Sequence, residues 1–292
     1  MRSKKIVKWG ILLVLPYLVY STIFWGIPFG WSFILSFFKW SVISPTHSFV
    51  LLENFITLIY GSPIAVSLFV MLRNTLYFMA VFIPIVVFGS ITFALLVSRI
   101  KRFKSIFIIG FLMSYFCPGV GYTLIFSEFF AEDGLFNNLL MNMGIHIPWL
   151  SDYRLAMVSV AILVIWKCIG YYGLLFMAGL QAIPPAMHEA ARIDGAGAWT
   201  RFWKITVPLL NAPLVITLTL STGMSFALFT EIFMLTGGGP QKWSHTFMYE
   251  IYTQIWTYGN AGYGSAVALV TGFIGFGLIL LIRKLVEREV YT

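Results

Sequence analysis

Six apolar runs dominate this chain, at roughly 11 to 38, 75 to 98, 105 to 127, 155 to 179, 206 to 232 and 264 to 282. As a helix rising 1.5 Å per residue, each is long enough to cross about 30 Å of hydrocarbon. In lipid every backbone amide and carbonyl must find a partner inside the protein, and continuous apolar runs of this length meet that demand as membrane helices. The expected fold class is therefore all-α: a polytopic membrane protein with six transmembrane helices, forming one transmembrane domain over 1–292. Composition agrees, with 59% hydrophobic residues, 10% charged residues and a mean hydropathy of +0.88, whereas soluble chains are about 25% charged. Aromatics reach 18%, which suits tyrosine and tryptophan belts at the two membrane surfaces.

Lys and Arg near helix ends are retained on the cytoplasmic side during insertion. One side receives Arg2, Lys4, Lys5, Lys8, Arg99, Lys101, Arg102, Lys104, Arg192, Arg201, Lys204, Arg283, Lys284 and Arg288. The other receives only Lys39, Arg73, Arg154 and Lys242, and Lys167 lies within a run. The asymmetry predicts both termini in the cytoplasm. The outer loops are then 39–74, 128–154 and 233–263, and their acids Glu53, Glu128, Glu132, Asp133, Asp152 and Glu250 could dock a soluble protein.

The net charge of +8 does not point to nucleic acid, because the basic residues flank apolar runs rather than forming a polar patch. Cys117 and Cys168 lie inside apolar segments, and His47, His146, His188 and His245 lack metal-ligand spacing, so neither a disulfide nor a metal site is expected. Pro16, Gly26, Pro28 and Gly30 predict a kinked or divided first helix, retained as an anchor behind Lys4, Lys5 and Lys8. Gly89, Ser90 and Ala94, with Gly272, Gly275 and Gly277, suit close helix packing. The glycines of TGFIGFG lack the order and the preceding strand of a nucleotide fingerprint.

The loop over 180–205 is the most informative segment. It runs through AIPPAMHEAARIDGAGAWTRFWKITVPLL. Pro184 and Pro185 suit a first helical turn, where the missing amide donor costs little, and Gly195 and Gly197 suit its end. Trp199, Phe202 and Trp203 recur at helical spacing against Arg201 and Lys204, an interfacial pattern. The residues alone leave open a plain interfacial helix or a partner-docking knob, with Ala190 and Ala191 permitting close approach beside the acid Glu189.

Resemblance bears on that choice. Glu189, Ala190 and Ala191, then Asp194 and Gly195, then Ile205, Val207 and Pro208 resemble the EAA loop of binding-protein-dependent ABC importer permeases, with Val207 where leucine is more usual. LENFITL (52–58), LRNTLYF (72–78), MAGLQAIPPAMHEAARIDGA (177–196), LTGGGP (235–240) and GYGSAVAL (263–270) are similar to the maltose-permease-like sugar and oligosaccharide branch. The resemblance implies the type I importer fold, with Glu189, Ala190, Ala191, Asp194, Gly195, Ile205 and Pro208 on a cytoplasmic coupling helix seated in an ATPase subunit. It also implies a heterodimer with a second, homologous permease, two ATPase subunits, an extracytoplasmic solute-binding protein, and a place in a bacterial or archaeal cytoplasmic membrane. ATP and Mg would bind the partner ATPase and no cofactor would bind this chain; GGGPQKW has Gln241 and Trp243 where a phosphate loop needs Gly and Ser or Thr.

Sugars are held by aromatic faces and hydroxyl partners, so the pathway candidates are the polar and aromatic residues at mid-depth: Trp166, Lys167, Tyr171, Ser221, Ser225, Ser114 and Tyr115. Helix packing is the other reading for the serines and tyrosines. An unpaired ammonium in hydrocarbon costs at least ~2.5 kcal/mol, so Lys167 needs a partner: an acid on the second permease, or the cargo, in which case an acidic saccharide would follow. An ABC permease for another small solute is the alternative within the family, and a self-sufficient secondary transporter or channel is the competing class. It would need an ion-coupling acid, for which Glu231 is the sole candidate.

Overall fold

A computed structural model describes residues 2–44 and 47–287, with side chains described from residue 11. Arg288 lies outside the described residues, as do the side chains of Arg2, Lys4, Lys5 and Lys8. In chain order the helices and strands are α1 (Arg2–Ser21), α2 (Ile27–Leu35), β1 (Phe38–Trp40), β2 (His47–Phe49), α3 (Glu53–Tyr60), α4 (Leu68–Arg99), α5 (Lys104–Phe116), α6 (Gly119–Phe130) and α7 (Leu135–Met141). They continue as α8 (Ala156–Ala182), α9 (Pro185–Ile193), α10 (Ala198–Arg201), α11 (Val207–Leu209), α12 (Asn211–Phe226), α13 (Thr230–Leu235), α14 (Phe247–Tyr252) and α15 (Ala261–Val286).

Four helical stretches are long and apolar enough to cross a membrane: Ile11–Leu35, Leu68–Arg99, Ala156–Ala182 and Ala261–Val286. The third and fifth runs are broken instead. Lys104–Phe116 meets Gly119–Met141 at 98°, and Ala198–Leu209 meets Asn211–Phe226 at 63°, so the total reaches six only if each bent pair is one span. The break in the third run has a local cause. Cys117 precedes Pro118, whose ring excludes the helical region for its neighbour, and both residues are extended, with ψ of 138° and 133°.

The first run stays one continuous stretch and accommodates its proline through a π turn. Ile27 donates its amide to Thr22, five residues back, closing a π turn over Thr22–Gly26, and Pro28, with no amide to give, follows at once. The same pattern recurs at Phe202–Thr206, where Val207 donates to Phe202 ahead of Pro208.

By its internal contacts the chain forms two compact units. The first comprises residues 1–68 and 250–271. It adds a short antiparallel hairpin to the all-α expectation, pairing Phe38 with Phe49 and Trp40 with His47, whose rings stack at 3.5 Å. Asn54 of the LENFITL stretch donates to the Ser36 carbonyl at 2.8 Å and the Phe38 carbonyl at 2.9 Å. Glu250 is buried rather than available for docking: its Oε1 accepts from the Val66 amide and from Gln254 Nε2, each at 3.0 Å. A buried carboxylate must be hydrogen-bonded in this way to be tolerated.

The second unit comprises residues 69–249 and 272–292. Its core is built on α8, where Val160, Leu163, Val164 and Cys168 pack with Phe78, Phe82 and Val86 of α4 and with Tyr122 and Phe126 of α6. Asn74 of LRNTLYF donates to the carbonyls of Lys242 and His245, at 2.7 and 2.9 Å, while the Arg73 guanidinium lies 3.8 Å over the Trp243 ring.

Close packing falls partly on the expected small residues. Gly89 faces Ile169, Ser90 and Ala94 are buried, and Gly275 faces Phe226, but Gly272 and Gly277 meet nothing within 4 Å. The tightest helix contact in this unit is elsewhere, at Gly170, where an added Cβ would stand 2.2 Å from the Phe111 carbonyl oxygen. Gly170→Ala must therefore push α5 off α8, and a loss of about 1–3 kcal/mol is expected. A fall in the thermal unfolding midpoint of the purified protein checks it; an unchanged midpoint refutes it.

Candidate functional site

Two places carry the residues singled out in the sequence. One is the surface segment at α9. Pro184 is extended (ψ 128°) and Pro185 opens the helix. The helix then ends on Gly195, whose φ of +78° is a conformation that glycine reaches without the strain a Cβ brings. The Ala196 amide donates to the Ala191 carbonyl at 2.8 Å and the Gly195 amide to the Arg192 carbonyl at 3.1 Å. These two bonds make a Schellman ending, in which glycine holds the left-handed position.

The result is a short helix with a defined ending and almost no cover. Glu189, Ala190, Arg192 and Asp194 are exposed, and Ile193 is 87% exposed. Trp199, Phe202 and Trp203 pack on one another at 5.3–6.2 Å, while Ile205 is half-buried and Thr206 buried at the start of the turn into α12. The exposed isoleucine thus stands beside Ala190 and Glu189 with nothing of this chain covering it. Beside it a cavity of about 950 Å³ opens between Ile183, Pro184 and Met187 on one side and Ala212, Val215 and Ile216 on the other.

The second place is midway along α8, around the break between α5 and α6. Lys167 of α8 extends its Nζ to within 2.8 Å of the Tyr122 hydroxyl and 3.5 Å of Glu231 Oε1. Tyr122 in turn donates its hydroxyl to Glu231 Oε1. Three elements, α6, α8 and α13, are thereby tied through one carboxylate. The partner that Lys167 requires is thus inside this chain, not necessarily on a second permease or in the cargo. Tyr122 carries no local sequence signal for this role, since it lies 45 residues before the lysine.

One turn along α8, Tyr171 stacks on Tyr115 of α5, with ring centroids 4.3 Å apart and planes 11° from parallel. Trp166 leans on Phe126 at 5.2 Å and stays 42% exposed. Pro118 has no amide hydrogen for the Ser114 carbonyl, so α5 cannot continue its hydrogen-bond ladder past this point. Irregular backbone at membrane depth is tolerated where it is covered by protein or lines a cavity.

The serine candidates are placed differently. Ser114 Oγ donates to the Phe111 carbonyl at 2.7 Å and lies 3.4 Å from the Lys167 carbonyl, joining α5 to α8. Ser221 and Ser225 are fully buried, and Ser225 donates to the Ser221 carbonyl at 2.8 Å. The structure therefore gathers Ser114, Tyr115, Trp166, Lys167 and Tyr171 around the break, with Ser221 and Ser225 inside the packing of α12.

The chain has clear relatives. The family described as "Binding-protein-dependent transport system inner membrane component" matches residues 8–290. A probable ABC transporter permease protein of Bacillus subtilis, YurN, is 32% identical over 94% of both chains. The trehalose/maltose transport system permease protein MalF of Thermococcus litoralis is 31% identical, covering 90% of this chain and 88% of its own. Among solved structures, a bacterial ABC transporter importing the acidic polysaccharide alginate superposes with a TM-score of 0.81 over 100% of both chains at 19% identity.

Proposed function

Because this chain belongs to the family of binding-protein-dependent transport system inner membrane components, we propose that it is the saccharide-translocating permease of an ATP-driven importer whose ATPase is a separate protein. The observation that carries the energy-coupling part is α9: an exposed, Schellman-ended helix presenting Glu189, Ala190 and Ala191. A rigid knob transmits a push from a partner, where a flexible loop would absorb it.

Saccharide cargo is supported from two sides. The relative in Thermococcus litoralis is named for trehalose and maltose, and the break between α5 and α6 offers two stacked tyrosines, a half-exposed tryptophan and an ammonium group. Aromatic faces pack on sugar C–H surfaces, and convergent polar groups fix orientation. Glu231, the acid an ion-coupled secondary transporter would need, is already engaged by Lys167 and Tyr122, which favours the ATP-driven reading.

In this reading the whole chain, 1–292, acts as one permease, and the segment 180–205 is its coupling loop. It sits in the cytoplasmic membrane of a bacterium or archaeon with both termini inside, pairs with a second, similar permease, and receives cargo from an extracytoplasmic binding protein. ATP and Mg act on the two ATPase subunits. Cargo moves because ATP-driven closure favours one of two states with different cargo affinity. The test is uptake of labelled saccharides into proteoliposomes holding both permeases and the ATPase, with the binding protein outside. Uptake that requires ATP and the binding protein is expected; uptake driven by an ion gradient without ATP overturns the proposal.

A further inference from the structure

We infer that Glu231 sets the mid-membrane site for uncharged cargo by masking the charge of Lys167, an inference that rests on the saccharide-permease reading above. Read alone, a lysine at this depth would suggest an anionic cargo. The geometry argues otherwise. Lys167 has three N–H donors; one is directed at Tyr122 Oη, 2.8 Å away, and one at Glu231 Oε1, 3.5 Å away. The single Tyr122 hydroxyl proton is given to the same carboxylate. Lys167 is the more open member of the pair, its side chain 17% exposed against 8% for Glu231.

An arriving molecule therefore meets one ammonium N–H with the full charge behind it cancelled. A hydroxyl oxygen can accept that proton. A carboxylate would lose its hydration, meet the negative oxygen of Glu231 next to its intended partner, and lie against the Tyr115 and Tyr171 rings, whose faces carry negative potential. Low dielectric around the pair enlarges each of these penalties for an anion.

Equilibrium binding to the nanodisc-reconstituted importer, without the binding protein, isolates this site from selection by the binding protein. The probes are labelled neutral di- to tetrasaccharides and uronate oligosaccharides of the same lengths. Wild type is expected to bind the neutral series at least about tenfold more tightly. Glu231→Gln unmasks Lys167 and should move the neutral-to-uronate affinity ratio toward uronates by roughly tenfold or more. Lys167→Met, leaving the carboxylate, should move it the other way. The two opposite shifts also keep the test open if one variant fails to fold.

A purely structural role for the pair would weaken both probe classes alike, and an unchanged ratio in the variants overturns the inference. So does a wild-type preference for uronates, or binding of neither class while ATP-driven saccharide uptake persists. Failure of the functional reading is a different result: no ATP-dependent uptake of any saccharide by the complete importer.

Discussion

Gly195→Pro is expected to cut transport at least about tenfold while the chain still inserts in the membrane and the assembled ATPase keeps its basal hydrolysis. The expectation follows from three local faults. Proline fixes φ near −65°, whereas this position sits at +78°. It also removes the amide that donates to the Arg192 carbonyl at 3.1 Å. Finally, it disfavours the helical region for Asp194, which stands at φ −72° and ψ 5°. Together these unravel the Schellman ending and so the orientation of Glu189, Ala190 and Ala191.

An added Cβ at Gly195 meets nothing within 4 Å, so the demand is for a backbone angle and not for space. A graded series separates these. Asparagine tolerates the left-handed region and should be nearly silent; alanine should cost about 1 kcal/mol locally; proline should be severe. ATP hydrolysis and saccharide uptake, measured in the same proteoliposomes, read the loss of coupling directly. Uptake by Gly195→Pro at the wild-type rate would sink the assignment of α9 as the coupling element.

Much of this was legible from the sequence because membrane helices and helix endings are written locally. Pro184 and Pro185 before an EAA stretch, and Gly195 four residues after Ala191, specify a short helix with a defined stop. The apolar runs were equally plain. Their continuity was not: proline at 118 announces some disturbance, but a 98° turn depends on what α6 packs against. The hairpin was hidden because Phe38–Trp40 is too short and aromatic to be told from a helix end.

Long-range partners were invisible for the same reason. Lys167 and Glu231 are 64 residues apart, and nothing near either residue names the other. Asn54 and Asn74, inside stretches legible only as family resemblance, prove to be clamps on backbone carbonyls, Asn54 on the turn from α2 into β1 and Asn74 on the distant segment at Lys242 and His245. Gly170 outranks Gly272 and Gly277 in packing because α5 crosses α8 there, a fact of topology that glycine content does not encode.

The pair at Lys167 also governs stability, and here single and double substitutions part company. Glu231→Leu removes the only carboxylate within salt-bridge reach of Lys167 among the described residues. The ammonium is then left with the Tyr122 hydroxyl alone, and breaking a buried pair in this way costs about 3–5 kcal/mol. In the hydrocarbon region water cannot easily replace the lost partner, so the insertion cost of a bare lysine, at least ~2.5 kcal/mol, sets a floor of similar size. Adding Lys167→Met removes the stranded charge and substitutes a flexible apolar side chain of similar length, as buried ion pairs replaced by apolar groups are often neutral or stabilising. The double variant is therefore expected to unfold close to the wild-type temperature while Glu231→Leu unfolds well below it, in thermal melts of the protein in lipid nanodiscs. If both variants melt equally low, the pair does not hold α6, α8 and α13 together through its charge, and the leucine has simply failed to fit against Tyr122.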